Sequence, residues 1–599
     1  MIPMAHKFLE IVHKRSLKGL HLERVYRKLK DKDLLLAAYG RLYSKKGATT
    51  PGIDPKDTVD GMSLQRIDKI IEDLDNGTYQ WKPVRRQEIP KKNGKTRPLG
   101  IPCWSDKLLQ EVIRMILEAY YEPRFSKISH GYRPHRGCHT ALQSIQKGWR
   151  GVKWFIEIDI KSFFDNIDHD ILLDIIFRDI KDVRFRKLLK EMLEAGYAQD
   201  WKYNRTFSGI PQGGVVSPIL ANIILNEFDK FVENELIPAY SRGVRRRDNP
   251  EYRKLRQELA KAWNRNDKDT FERLDVKRRT IPSKDTFDPN FRRLKCIRYA
   301  DDVLLGFIGP KSEAQEIKNK IQALLQTLNL ELSEEKTLIT HASQQARFLG
   351  YDIHLAKCDS KTTRTRSGIK RRSVNSQPVL SVPYEVRKQW LKRYSHKGKP
   401  FHRAELTNYS DFEIIQTYDV QLRGLVNYYS LATNVSKLQE VRYHFERSLV
   451  KTLANKHKTT SRRIRKKLTV PGEHSTRCIC VTVNNPRNPN KPYVAKFGDM
   501  PIKRNKTAFI IDQFVPEHGN RNELVRRLLA QECELCGSHD NVQVHHVKAI
   551  KNLKKRYEGK RTPPGWVTAM IERNRKTLVV CHQCHVEIHN GQYDGKKVD

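Results

Sequence analysis

The stretch IRYADDVLLGF, residues 297–307, sets two adjacent aspartates inside an apolar, β-prone run. One buried carboxylate is costly, and two side by side repel each other unless a positive charge stands between them. Neighbouring side chains of a regular strand point to opposite faces. Asp301 and Asp302 together therefore indicate the tip of a tight hairpin, read as strand, turn, strand. Asp is also favoured in turns, so the motif alone is satisfied by a plain hairpin. A second embedded acid shifts the balance: Asp159 lies in FIEIDIKSFF (155–164), flanked by apolar residues on both sides. Three carboxylates on two adjoining strands become favourable when they ligate Mg²⁺, which prefers carboxylate oxygen and keeps water or phosphate as its remaining ligands. Two such ions about 4 Å apart activate an attacking hydroxyl and stabilise the leaving oxygen of a phosphoryl transfer.

Working outward, 599 residues are too many for one core, and three to five structural units are expected. With 113 Lys+Arg against 69 Asp+Glu, the chain carries a formal net charge of +44. Such an excess strains a compact fold unless a polyanion offsets it, which makes nucleic acid the leading partner and an anionic membrane surface the minor one. No apolar run approaches the ~18 residues of a bilayer span. The N-terminal MIPMAHKFLEIVHKRSLKGL has no secretory h-region and reads as an amphipathic first helix, although a transit peptide shares its basic character. Ten cysteines include two C-x-x-C pairs near the C-terminus, a metal-binding pattern of a reducing compartment. A cytoplasmic setting is expected, bacterial first and organellar second.

Residues 1–80 read as a mostly helical N-terminal extension, and 81–102 as a basic hairpin around an Asn-Gly turn. Residues 241–290 are charged and apolar-poor, an insertion of exposed helices. Residues 360–380 look like a basic linker, and 471–525 read as basic and irregular. The terminal unit spans 526–599.

YADD (299–302), DIKSFFDNIDH (159–169), GIPQGGVVSPILAN (209–222) and KKNGKTRPLGIP (91–102) together resemble a reverse transcriptase, of the kind encoded by group II introns. GATTPGID (47–54) resembles the extension that precedes the fingers in that family. The resemblance implies a multidomain α+β protein: a right-hand polymerase with fingers and a ferredoxin-like palm over 81–355, and a helical thumb, or maturase domain, over 356–470. Asp159, Asp301 and Asp302 would hold Mg²⁺. Lys91 or Lys92, with Arg97, would clamp the incoming dNTP, where Arg offers a fork and Lys a point charge. Phe164 would lie under the sugar, Gln212 would line the nucleotide pocket, Lys336 would stand near the triphosphate, and FLGYDI (348–353) would steady the primer end. The blander alternatives are plain core for Phe164 and surface charge for Lys336.

QLRGLVNYYSLA (421–432) resembles the thumb of the same family. Arg423, Tyr428 and Tyr429 combine charge with rings that stack on unpaired RNA; for the two tyrosines, core packing is the other reading. Arg462, Arg463 and Arg465 in SRRIRKKL (461–468) suit phosphate-backbone contact, or a solvated helix face.

CELC (533–536) and CHQC (581–584) form a four-thiolate zinc signal, Cys533, Cys536, Cys581 and Cys584. With VQVHHVKAI (542–550) between them and CHQCHVEIHNG (581–591) after, the unit resembles a ββα HNH endonuclease. That resemblance implies His546 as general base and His545, His585 and His589 as ligands of a divalent cation, Mg²⁺ by expectation. Thr577 stands where the family usually has Asn, with Asn574 three residues earlier; a zinc fold retained only for DNA binding is the alternative. The whole reads as an RNA-directed DNA polymerase, splicing maturase and DNA endonuclease, partnered by intron RNA, target DNA and dNTPs. A maturase without polymerase activity, or a reverse transcriptase of another mobile or defence system, competes with it.

Overall fold

The computed structural model describes residues 2–45, 47–90, 94, 96–199, 202–204, 208–358, 361, 363–364, 368, 370–371, 374–474, 477–484, 490–510, 523–548, 550, 553, 563–572 and 575–593. Its centre is an antiparallel sheet of four strands in the order Leu338–His341, Trp154–Ile158, Asp302–Ile308, Arg293–Tyr299. The side-chain period of two sends alternate residues into two different cores. Ile156, Ile158, Val303, Leu305 and Phe307 join one cluster, with helices Trp104–Tyr121, Ser217–Phe231 and Lys311–Thr327. Phe155, Ile297, Leu304 and Ile308 join the other, with helices Asp411–Tyr428 and Leu438–Lys456. A sheet buried on both faces explains why VLLGF is continuously apolar. Gly306 is required within it, because a Cβ there would stand 2.6 Å from the Trp149 ring.

The basic hairpin forms as expected, with Val84–Pro90 paired to Thr96–Ile101. Its tip residues Lys91, Lys92 and Asn93 lie outside the described residues, as does much of the basic stretch 360–380. The 241–290 segment folds as two helices, Pro250–Asn264 and Lys268–Thr280, each opened by a side-chain cap, Asn249 and Asp267.

One expectation is corrected. The irregular reading of 471–525 misses a three-stranded antiparallel sheet, Thr469–Val470, Cys478–Val483 and Tyr493–Phe497. Ile479, Ala495, Phe497 and Ile502 share the core of helix Asp411–Tyr428, so this sheet is one body with the helical segment. The terminal unit packs onto the N-terminal extension. Its hairpin Gln543–His546 and Thr577–Val580 takes Met62–Ser63 of the N-terminal extension as a third strand. Leu524, Val525, Leu528, Val542, Val544 and Val579 lie in the same cluster as Leu34, Leu35 and Tyr39. Among the described residues, no helix is long and apolar enough to cross a membrane.

Candidate active sites

Strand register decides where the acids meet. Tyr299 pairs with Asp302, leaving Ala300 and Asp301 as the two-residue turn, and Ile158 pairs with Val303, which brings Asp159 level with Asp302. Ala300 has φ 54°, an uncommon value for a residue with a Cβ. A Cβ on Gly131 would lie 2.3 Å from the Ala300 nitrogen, so the neighbouring loop approaches this turn only because residue 131 is glycine.

Arg298 holds the turn from beneath and is fully buried. All five N–H donors of its guanidinium are used. Nε donates to Asp229 Oδ1 (2.7 Å) and Nη2 to Asp229 Oδ2 (2.5 Å) and Ser129 Oγ (2.8 Å). Nη1 donates to Asn222 Oδ1 (3.1 Å) and to the Ala300 carbonyl (2.9 Å). Asn222 in turn donates to the Gly131 carbonyl at 2.9 Å. One buried ion pair with Asp229 thus fixes both the aspartate turn and the glycine loop against it.

Above this base, Lys336 Nζ lies 2.8 Å from Asp159 Oδ2, and Ser333 N donates to the Asp159 carbonyl at 2.8 Å. The hydrogen bond to Asp159 raises the Lys336 ammonium above its ordinary value. Burial, then the charge of Asp159, raises Asp301; the nearby Arg97 and Lys336 pull it the other way. Burial, then Asp301 and Asp159, push Asp302 up to about 6, even though its side chain reaches solvent. Three hard carboxylate groups brought together on adjoining strands and their turn fit Mg²⁺.

Around the acids, Arg97 is exposed on the basic hairpin, while Lys91 and Lys92 lie outside the described residues. Phe164 is half-buried in the turn Phe163–Asp165, its carbonyl accepting from Ile210 N at 2.7 Å. Gln212 accepts from Gly100 N at 2.7 Å through its carbonyl and lines a cavity of about 380 Å³ with Arg86, Pro98, Asp165 and Tyr197. None of the three acids lines that cavity.

In the helical segment, Tyr429 is buried and its hydroxyl donates to the Gly350 carbonyl at 3.0 Å. Half-buried Tyr428 donates to the Leu349 carbonyl at 2.8 Å. The expectation of RNA stacking is corrected for Tyr429, whose ring is enclosed by protein, and Tyr428 packs beside it. Arg423 is exposed and paired with Asp419. Arg462 and Arg463 are exposed, whereas Arg465 pairs with Glu446 at 2.8 Å.

In the terminal unit the four cysteine sulfurs lie within 4.8 Å of one another, Cys536 and Cys581 at 3.7 Å. Zn–S bonds of about 2.3 Å in a tetrahedron separate sulfurs by about 3.8 Å, so the set fits zinc. His545 and His546 alternate across their strand as strand geometry requires. His545 faces His585 and His589, with ring centroids 5.2 and 5.1 Å away. His546 faces the N-terminal extension, its Nε2 3.0 Å from the Tyr39 hydroxyl, and burial pushes it down to about 3. Thr577 pairs with His546 and is buried, its carbonyl accepting from Arg527 at 3.2 Å; Asn574 lies outside the described residues. Arg298, Asp229, Tyr39 and Asp60 carry these sites without any assigned role in the sequence reading. Only Arg298 had a signal, a guanidinium inside an apolar strand.

A carboxylate cluster on paired strands, a four-cysteine unit with clustered histidines and a strongly basic chain are the features of a nucleic-acid enzyme with two centres. Family models agree, matching a reverse transcriptase (RNA-dependent DNA polymerase) over residues 89–353. A type II intron maturase model matches residues 374–506, and an AI2M/AI1M-like HNH endonuclease model residues 533–585. The chain is 42% identical to the group II intron-encoded protein LtrA of Lactococcus lactis subsp. cremoris, over 96% of this chain and 98% of that protein. It is 34% identical to the putative COX1/OXI3 intron 1 protein of Saccharomyces cerevisiae, over 94% of this chain and 69% of that one. Protein YkfC of Escherichia coli is 32% identical over 56% of this chain and 84% of its own length. The chain belongs to the group II intron-encoded proteins, with reverse transcriptase, maturase and HNH endonuclease domains.

Proposed function

We propose that this protein copies its intron RNA into DNA at Asp159, Asp301 and Asp302, using as primer the 3′-hydroxyl that the terminal unit opens in a DNA strand. The observation that carries the reading is the meeting of these three acids on register-locked strands. When bound there, Mg²⁺ supplies charge neutralisation and activation of the primer hydroxyl. Asp159 and Asp301 are its main ligands, and Asp302 completes the cluster. Lys336, paired with Asp159 at 2.8 Å, would stand beside the incoming triphosphate as a point charge. Arg97, with Lys91 or Lys92, clamps the phosphates, Phe164 excludes a 2′-hydroxyl and Gln212 orients the nucleotide.

The sheet of antiparallel strands backed by helices is the palm of a right-hand polymerase over 81–355, and the helical segment from 356 is its thumb. Arg423, Arg462 and Arg463 bind the phosphate backbone of the intron RNA and so assist splicing, and residues 471–525 contact target DNA. In the ββα unit at 526–599, the four cysteines hold zinc as a structural ion. His545, His585 and His589 would hold a divalent cation that would polarise a scissile phosphate; as general base, His546 would have to leave the Tyr39 hydroxyl, 3.0 Å from its Nε2, to meet a water beside that cation.

Primer extension tests the reading, with the purified full-length protein, its intron RNA, Mg²⁺ and the four dNTPs. DNA product is expected, and Asp301→Ala should abolish it while nicking of a target duplex persists; His546→Ala should do the reverse. No DNA product under any condition sinks the polymerase assignment, and a maturase without polymerase activity then takes its place.

A further inference from the structure

We infer that Asp60, carried by the N-terminal extension, is the fourth ligand of the nuclease metal, so that one ion ties the two ends of the chain together. The inference rests on the proposal that His545, His585 and His589 bind that metal. Asp60 Oδ1 lies 3.2 Å from His585 Nε2 and 3.5 Å from His545 Nδ1. Asp60 Oδ2 lies 2.8 Å from His589 Nε2, and the two Nε2 atoms of His585 and His589 are 3.2 Å apart. Four ligands held about 2.1 Å from one ion in a tetrahedron stand about 3.4 Å from each other. Four of the six donor pairs thus stand 2.8–3.5 Å apart, counting either carboxylate oxygen, and all four groups offer ligand atoms within 4.8 Å of one another.

A second observation points to an ion. His545 is 5% exposed, and neither of its ring nitrogens meets a hydrogen-bond partner. A buried imidazole aimed into a ring of donors with both nitrogens idle is costly, and coordination removes that cost for the nitrogen facing Asp60. His585, by contrast, is oriented as a metal-bound histidine should be: its Nδ1 is engaged by Gln543 Oε1 at 2.9 Å, which leaves Nε2 for the site.

The placement of Asp60 is built into the backbone. Gly61 N donates to the Val544 carbonyl at 3.0 Å, Met62 pairs with Val544, and Asp60 Oδ1 itself accepts from His546 N at 2.7 Å. Beneath this pairing Met62 and Val544 share one apolar cluster. Three imidazoles and one carboxylate suit a borderline transition ion better than Mg²⁺, which seeks an all-oxygen shell.

Co²⁺ titration of the full-length protein, its cysteine site saturated with Zn²⁺, tests the assignment. Four-coordinate Co²⁺ absorbs visible light far more strongly than six-coordinate Co²⁺, so a carboxylate-bound ion at the polymerase centre contributes little to the signal. Wild type should saturate with an intense tetrahedral spectrum free of thiolate charge transfer. Asp60→Ala and the isosteric Asp60→Asn should each weaken Co²⁺ binding about tenfold or more and lower the band intensity as water replaces the carboxylate. Asp54→Ala, which removes a half-buried acid of the same loop that pairs with Lys82 and not with the histidines, should leave the titration unchanged. Primer extension reports that each variant is folded. If both Asp60 variants titrate as wild type while His585→Ala loses the signal, Asp60 is no ligand and the histidine site stands. If His585→Ala and His589→Ala also titrate as wild type, the nuclease-metal reading itself is overturned.

Discussion

Arg298→Met would leave Asp229, which has no solvent exposure, as an unpaired charge beneath the aspartate turn. It would also strip donors from Asn222, Ser129 and the Ala300 carbonyl. Removing one partner of a buried ion pair costs about 3–5 kcal/mol. In a cooperative unit of roughly 150–250 residues each kcal/mol moves the melting point about 2–4 °C, so a fall of about 10 °C is expected by calorimetry. Packing alone would explain such a fall, so a second variant separates positioning from stability. In Arg298→Met/Asp229→Leu the buried charge is gone, and an apolar pair of similar volume is often as stable as the ion pair it replaces. Melting should recover. The Ala300 carbonyl still lacks its donor, however, and Asp301 follows Ala300 directly. Small misplacements of a reacting centre cost up to about a hundredfold in rate, so single-turnover primer extension should stay at least about tenfold below wild type. Full recovery of both melting and extension in the double variant would refute the positioning role, and an Arg298→Met protein melting with wild type would refute the buried pair.

Three further outcomes follow from the same geometry. Cys533→Ser should lose its zinc by metal analysis and lose target nicking, because the small cluster around the cysteines, with Trp566 and Met570, has little apolar core beyond its metal. Burial pushes Asp106 up to about 7, and its carboxylate accepts from the Tyr79 hydroxyl at 2.8 Å and from Lys82 N at 3.2 Å. With the folded value raised, the folded chain keeps a proton that the unfolded chain has released; stability therefore falls as pH rises through about 7. Urea midpoints from about pH 6 to about pH 8 should report a loss on the order of 1 kcal/mol, absent in Asp106→Asn. Arg462→Ala/Arg463→Ala should weaken intron RNA binding and shallow its salt dependence by about 1–2 phosphate contacts, read as the slope of log K against log salt; an unchanged slope would remove these residues from the interface.

What the sequence discloses is local and periodic, and what it conceals is long-range. The hairpin at Asp301 was legible because strand alternation forbids two neighbouring acids on one face, and the cysteine pairs because thiolate spacing is set by one ion. Tyr429 misled because a ring on a helix reads alike whether it meets a base or the Gly350 carbonyl. The sheet at 469–497 was hidden because its longest strand, CICVTV (478–483), is a short apolar run with no period-two alternation. Asp60 was beyond reach: TVDGMS carries no motif, and its partners stand 485 positions and more along the chain.

The maturase segment and the polymerase centre are also joined through one short turn. Leu349 (φ 47°) and Gly350 (φ 70°) reverse the chain between Ala346–Phe348 and Tyr351–Leu355, the stretch that the family resemblance places at the primer end. Their carbonyls accept from Tyr428 and Tyr429, two residues at the end of the helix that carries Arg423 on its exposed face. The Tyr428 carbonyl accepts in return from the Tyr351 hydroxyl and, at 2.8 Å, from His139 Nε2. His139 belongs to the segment that begins with His130 and Gly131, where His130 N donates to the Arg298 carbonyl at 2.8 Å and Gly131 abuts Ala300. Helix, primer turn and aspartate turn are thus held by hydrogen bonds to backbone carbonyls, which fix position without regard to side-chain identity at the acceptor. On the proposed reading, RNA bound along the Arg423 face would stand in register with the three carboxylates, the alignment that folding an RNA and then copying it requires.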